Sequence, residues 1–383
     1  MDTPIYLFSF LIPKKKNLWI FGSWFSKRYT DNSKFLFEYV NKNHKEIEAV
    51  WITAEQCVMQ ELQSKNSKVV YRYSLKGLWY VLRAKSVIFV QGPNEDILNG
   101  INWYVTKNIQ LWHGTPLKKI NYDDNLCVKN RDFLKFKLFI KKIFFPVMYY
   151  KYDFFPACSN EDKKNFTSAF LLNSEKVKIT GYPRNDIFLN NKQLSKKMLF
   201  KIIYMPTFRG EKESTFDFFT QFAFNQKEIE KKLKEMSAEL FLKLHPVNKP
   251  NSEILVEINN SENIFFYDEN SDIYEELHEF GILITDFSSV YFDYLLTDKP
   301  IIFASFDLDE YLTNDRELYY DYDEVTPGPK CKDWNEVIEW IEKFKNNPDL
   351  FSDERSKIKN KFHKYHDGKS CERVYQEILK ITG

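Results

Sequence analysis

Short apolar runs recur along the chain: Asn17 to Trp24, Ala49 to Thr53, Lys68 to Tyr73, Ser86 to Gln91 and Asn108 to Trp112. Between them the apolar positions take a helical spacing at Lys34 to Asn43, Glu55 to Gln63 and Leu75 to Arg83. Strands alternating with helices predict a parallel α/β sheet. A strand at Tyr152 to Cys158, a helix after Asn160 and a strand at Lys176 to Thr180 follow. Polar residues from Asn190 to Lys197 then mark an interdomain linker. A second series begins at Phe200 to Met205 and continues through a helix to Lys234 and strands at Glu239 to Leu244 and Asn263 to Tyr267. Ile282 to Phe303 reads as strand, polar turn, short helix and strand, and helices at Asp333 to Lys345, Ser352 to Tyr365 and Cys371 to Ile381 close the chain. The pattern predicts two doubly wound domains facing across a cleft, residues 1–190 and 191–383, with the C-terminal helix free to pack back on the first.

At 383 residues the chain exceeds what one core holds, and 43% hydrophobic with 28% charged residues describes a globular protein. Cys57, Cys127, Cys158, Cys331 and Cys371 form no CxxC pair and have no metal-ligand spacing, which fits a reducing compartment. The net charge of +1 hides a division, with residues 1–190 at +12 and the remainder at −11. The first half is therefore expected to meet something anionic, a membrane surface or a nucleic acid. No apolar run reaches the ~18 residues of a spanning helix. Ile5 to Ile12 reads as a surface anchor or as the lead into the first strand.

Lys129 to Lys151 carries seven basic residues and one acidic residue among many Phe, Leu, Ile and Met. Such a helix either lies in a membrane interface or packs in the core with snorkelling lysines.

Candidate chemistry sits just after the predicted strands, where open α/β sheets place ligands. His113, in LWHGTP, and His245, in LKLHP, follow strands in opposite domains; imidazole can accept a hydroxyl proton or stabilise phosphoryl charge. MPTFRG supplies Thr207 and Arg209, and GYPRND supplies Arg184, beside Asp186; an arginine fork matches a phosphate. Ser288 and Ser289, at a predicted helix start between Asp286 and Asp293, present hydroxyls beside unpaired N–H groups. Asp293 lies about one turn beyond Ser289, where its carboxylate can face the same pocket. A P-loop and a GxGxxG after a strand are both missing, against an ATPase and a dinucleotide oxidoreductase. No His and carboxylate cluster suggests a metal cage.

Taken in order, NLWIFGSWFSKRYTDNSKFLFEYV, LWHGTPLKK, ITGYPRND, MPTFRG, LKLHP, ITDFSSVYFDYLLTDKPIIF and FHKYHDGKSCERV resemble the motifs of the CDP-glycerol glycerophosphotransferases of teichoic acid synthesis and related capsule polymerases. The resemblance spans roughly residues 11–376. It implies a GT-B-like pair of Rossmann-type domains, the donor held mainly by the second and the acceptor by the first. By motif, His113, followed by Gly114 and Thr115, would be the general base. His245, Thr207, Arg209, Ser288, Ser289 and Arg373 would bind the donor diphosphate, and Asp293 would lie near the donor glycerol. GSW stands where many members carry a more polar turn. The partners implied are CDP-glycerol or a related CDP-polyol and a polyprenyl diphosphate-linked saccharide on the cytoplasmic membrane face, with the enzyme peripheral and no nucleic acid involved. No cofactor is implied, and divalent cation dependence stays open. A nucleotide-sugar glycosyltransferase of the same fold and a non-catalytic lipid-carrier or nucleic-acid binding protein are the alternatives.

Overall fold

The computed structural model describes residues 9–98, 105–124, 131–144, 151–190, 200–207, 209, 219–244, 250–268, 271–314 and 317–383. Contacts divide the chain into two compact units, residues 1–115, 120–186 and 363–383 forming the first and residues 116–119 and 187–362 the second. The last helix belongs to the first unit. The segment after Thr115 belongs to the second, where Lys118 pairs with Leu318.

The first unit holds a five-stranded sheet of β1 (Lys15–Phe21), β2 (Glu48–Thr53), β3 (Val69–Tyr71), β4 (Ala84–Phe89) and β5 (Lys107–Gln110), ordered β3-β2-β1-β4-β5 and parallel throughout. Leu18 to Phe21 of the central strand are all buried, the continuous apolar run that a sheet covered on both faces requires. Helices α1 (Asp31–Asn43), α2 (Gln56–Ser64) and α3 (Leu75–Arg83) make the crossovers; Ser74 caps α3, its hydroxyl accepting from Gly77 N at 2.9 Å. Next come α4 (Arg131–Phe144), a parallel pair of β6 (Phe155–Ala157) and β7 (Val177–Ile179), and α5 (Asn160–Ala169) between those two strands.

The second unit repeats the topology without repeating the sequence. Its strands β8 (Phe200–Met205), β9 (Ala238–Leu242), β10 (Ile264–Phe266), β11 (Ile282–Thr285) and β12 (Ile301–Phe303) are parallel and ordered β10-β9-β8-β11-β12. Around them stand α6 (Gln226–Glu235), α7 (Ser252–Asn259), α8 (Val290–Tyr294), α9 (Trp334–Asn346) and α10 (Ser352–Phe362). Helix α11 (Ser370–Thr382) returns to the first unit, burying Cys371, Val374, Tyr375 and Ile378 in the core that contains Trp19, Phe37 and Trp51.

In each unit the strand order reverses once, between β1 and β4 and between β8 and β11. At the first reversal Trp24, Phe25 and Ser26 are consecutive left-handed residues, with φ of 44°, 60° and 60°, a conformation that costs on the order of 1–2 kcal/mol each. Asp96 holds this turn: its carboxylate accepts N–H bonds from Phe25 (2.7 Å), Val90 (2.9 Å) and Gln91 (2.8 Å), and its carbonyl accepts from Ser26 Oγ at 2.6 Å. Gly22 is required beneath it, since a Cβ there would collide with the Asp96 carbonyl. Asp96→Ala would strand those three donors; a stability loss of about 2–4 kcal/mol is expected. Chemical denaturation checks it, and a midpoint unchanged from wild type would show that water satisfies the turn.

Helix α4 is not the core helix that one reading of the sequence expected. Phe133, Phe136 and Phe144 are 66%, 60% and 66% exposed, and Phe139 and Ile143 are also exposed. At 100° per residue these five fall on one side, with Lys137 along one border, Lys135 along the other and Lys141 toward the back. Among the described residues no helix is long and apolar enough to cross a membrane.

Candidate active site

His113 stands three residues beyond β5, in a loop fixed from two sides. On one side Arg184 and Asp31 form an ion pair at 2.8 Å with side chains only 3% and 4% exposed, and Arg184 Nη2 donates to the His113 carbonyl at 2.9 Å. Asn32 Nδ2 donates to the Trp112 carbonyl at 2.8 Å, while its Oδ1 accepts from Arg184 N at 3.1 Å. On the other side the fully buried Asp162 accepts from the Thr115 hydroxyl at 3.0 Å, from Cys158 N at 3.0 Å and from Tyr182 Oη at 3.1 Å. Trp112 and Gly114 adopt φ of 55° and 127°, so the chain kinks on both sides of the histidine. The Trp112 ring stacks on the imidazole at 4.2 Å, and Trp24 lies 6.2 Å from it, with its Nε1 donating to Asp31 at 3.1 Å.

This packing sets the proton affinity of His113. Burial pushes its pKa down, the Asp31 carboxylate draws it up, and Arg184 pushes it down again; the net is a value below the ordinary histidine range. The imidazole is therefore neutral near pH 7 and able to accept a proton. Its Nδ1 is buried and has no hydrogen-bond partner among the described residues.

In the second unit the loops after β8 and β11 meet at the other reversal of strand order. Asp286, 1% exposed, accepts from Thr207 N at 2.7 Å and Phe287 N at 2.6 Å. Arg209 Nη2 donates to Asp286 at 2.8 Å, and Nε and Nη2 grip Asp307 at 2.7 and 2.9 Å. Its guanidinium also lies 4.8 and 4.7 Å from the Phe287 and Tyr311 rings. Burial alone would push the Arg209 pKa down, but the two carboxylates hold it above its usual value. The expected phosphate fork is thus already filled, and the cluster of one guanidinium and two carboxylates is net negative. The Thr207 hydroxyl is buried and without a partner among the described residues. Ser289 precedes α8 without making a side-chain cap bond, and Ser288 makes only a long contact, its Oγ accepting from Val290 N at 3.4 Å. Both serines are half-buried, with hydroxyls not consumed by capping.

Four other expected site residues have structural partners. Arg184 is the brace of the His113 loop, where a phosphate ligand was expected. Asp186 accepts from Ser370 N and Cys371 N at 2.7 and 2.8 Å, which caps α11. Arg373 lies in the first unit, gripping Asp367 at 2.8 and 2.9 Å, donating to Thr180 O and lying 3.8 Å from the Tyr365 ring centroid. Asp293 is fully buried and accepts from Tyr274 Oη at 3.0 Å, neither a surface charge nor open to solvent. His245 lies outside the described residues. Among the described residues no group of three or more His, Cys, Asp or Glu side chains is placed to hold a metal ion.

A family model described as CDP-glycerol:poly(glycerophosphate) glycerophosphotransferase matches residues 5–380. The teichoic acid poly(glycerol phosphate) polymerase of Bacillus spizizenii is 30% identical, with 96% of this chain and 93% of that protein covered. The teichoic acid glycerol-phosphate transferase of Staphylococcus aureus is 28% identical over 95% of this chain and 93% of its own. Among solved structures, the wall teichoic acid polymerase TagF has a TM-score of 0.77 at 22% identity, covering 96% of this chain and 90% of that one, which shows a shared GT-B-like fold.

Proposed function

Because the chain belongs to the CDP-glycerol:poly(glycerophosphate) glycerophosphotransferase family, we propose that it transfers glycerol phosphate from CDP-glycerol to a hydroxyl of a lipid-linked acceptor in teichoic acid synthesis. The observation that carries the residue assignment is the loop of His113, fixed in place by Asp31, Asn32 and Arg184, with burial pushing the imidazole pKa down. His113 takes the proton of the acceptor hydroxyl as its oxygen attacks the phosphorus bearing the glycerol. A new P–O bond forms in line with the one that breaks, and CMP carries away the leaving electrons. Thr207, Ser288 and Ser289 supply hydroxyl donors to the donor diphosphate, with His245 as a further phosphate ligand. Arg209 acts by ordering the loops that carry Thr207 and Ser288. Asp293 receives a donor hydroxyl only where Tyr274 yields it.

Donor identity is tested by supplying CDP-glycerol, CDP-ribitol and nucleotide sugars to the purified chain. CMP released from CDP-glycerol in preference to CDP-ribitol supports the assignment. Release of a nucleoside diphosphate from a sugar donor would replace it with glycosyl transfer.

The acceptor reading brings the enzyme to the cytoplasmic face of the membrane, and helix α4 supports this. Its apolar side chains face outward with lysines beside them, the arrangement of a helix lying in an anionic interface. Replacing Lys135, Lys137 and Lys141 with Gln is expected to weaken binding to anionic vesicles by roughly tenfold or more, at about 1 kcal/mol per basic residue. Cosedimentation checks this, and unchanged binding would remove α4 from the membrane contact.

A further inference from the structure

A cavity of about 570 Å³ opens beneath α4, entirely within the first unit. Four lysines line it, Lys135, Lys141, Lys151 and Lys176, and no carboxylate does. Lys151 pairs with Asp153 at 3.0 Å just outside, and Lys176 donates to the Tyr152 carbonyl at 2.7 Å. Lys141 has no ion-pair partner among the described residues. Leu138, Phe170 and Leu172 add apolar wall, and Asn121 and Asn173 add polar wall. Converging cations over an apolar wall match a ligand that is anionic at one end and hydrocarbon at the other.

Two contacts relate this cavity to its surroundings. Phe139 lines it and is also 58% exposed on the outward apolar side of α4, so the cavity mouth is continuous with that side. At its inner end Phe170 packs edge-on against Trp112 at 5.0 Å, and Trp112 stacks on His113. Two aromatic side chains, Phe170 and Trp112, thus stand between the cavity and the histidine.

We propose that this cavity is a binding site for the phosphate-headed end of a single-chain prenyl lipid drawn from the membrane. The phosphate or diphosphate meets Lys141 and its neighbours, and the first part of the chain lies along Leu138 and Leu172 toward Phe139 on the exposed side of α4. The site holds the lipid end of the acceptor close to the general base. The inference rests on the membrane-facing reading of α4 and on a lipid-linked acceptor, and it adds the place where that lipid is read.

The test is calorimetric binding of farnesyl diphosphate to the full-length wild-type chain with no CDP donor present, so that its outcome is independent of turnover. Farnesyl diphosphate is expected to bind at least about tenfold more tightly than farnesol or inorganic diphosphate, since each of these carries only half of the recognised chemistry. Lys141→Glu and Leu172→Asp are each expected to weaken it by about tenfold or more. Lys141 is only half-buried on α4, so its variant keeps the test open even where Leu172→Asp does not fold. Inorganic diphosphate binding as tightly as farnesyl diphosphate would make this a free-phosphate site and overturn the proposal. So would an absence of binding, or farnesyl diphosphate binding to folded Lys141→Glu with wild-type affinity. CMP release from CDP-glycerol by the same preparation separates failure here from failure of the transferase reading.

Discussion

His113→Ala is expected to lower kcat by about 10²- to 10⁴-fold while the protein stays folded, the range over which a positioned general base contributes. The fold is spared because the loop is held through backbone groups of Trp112 and His113 and the hydroxyl of Thr115, none of which the substitution removes. A kcat within about threefold of wild type would take His113 out of the proton transfer. The pH profile gives a sharper reading. Since burial holds the imidazole pKa below its ordinary value of about 6.5, activity should be full at neutral pH and fall only as pH drops through that lowered value. Asp31→Asn removes the charge that raises this pKa and leaves Arg184, which lowers it. Its acid limb should therefore move to still lower pH, alongside a stability loss of about 3–5 kcal/mol from the unpaired Arg184. An acid limb that stays in place would show that the titrating group is not His113.

The largest expected loss of stability in the second unit comes from Arg209→Ala. Arg209 is the cation between Asp286 and Asp307, whose side chains are 1% and 10% exposed, and its removal leaves two carboxylates facing each other in a desolvated setting. Breaking a buried pair of this kind costs about 3–5 kcal/mol, read as a shift in denaturation midpoint. Arg209→Lys keeps a charge but cannot bridge both carboxylates, so it should fall between wild type and alanine. If Arg209 orders the donor loops, the lysine variant raises KM for the donor together with the stability loss. A wild-type stability with a raised KM would instead return Arg209 to direct phosphate contact.

The architecture was legible because its signals are local. The apolar runs at Leu18 to Phe21 and Ile282 to Thr285 belong to central strands buried on both faces, and such runs show in the sequence without any knowledge of partners. His113 could be singled out for the same reason, as a polar residue just past a strand. What stayed hidden depends on distant pairing. Arg184 and Asp31 are 153 positions apart, so the ion pair that makes Arg184 a brace leaves no local trace. Asp307, 98 positions from Arg209, is equally silent, and a free fork was expected where a filled one exists. Trp24 in GSW read only as a departure from a polar turn, yet the left-handed run from Trp24 to Ser26 brings its ring beside the imidazole. A turn of three non-glycine left-handed residues has no sequence signature, because the interactions that support it come from Asp96. The partners of Asp186 and Arg373 are likewise silent in the sequence: Asp186 takes the N–H groups of Ser370 and Cys371, 184 and 185 positions away, and Arg373 grips Asp367.

The most direct measurement of the central claim is CMP release by the wild-type chain from CDP-glycerol, with and without a lipid-linked saccharide acceptor, on vesicles. The expected result is CMP formation that requires the acceptor, matches phosphodiester product one for one and disappears in His113→Ala. CMP released equally without acceptor, or none from folded protein with both substrates present, would contradict transfer of a polyol phosphate by this chain.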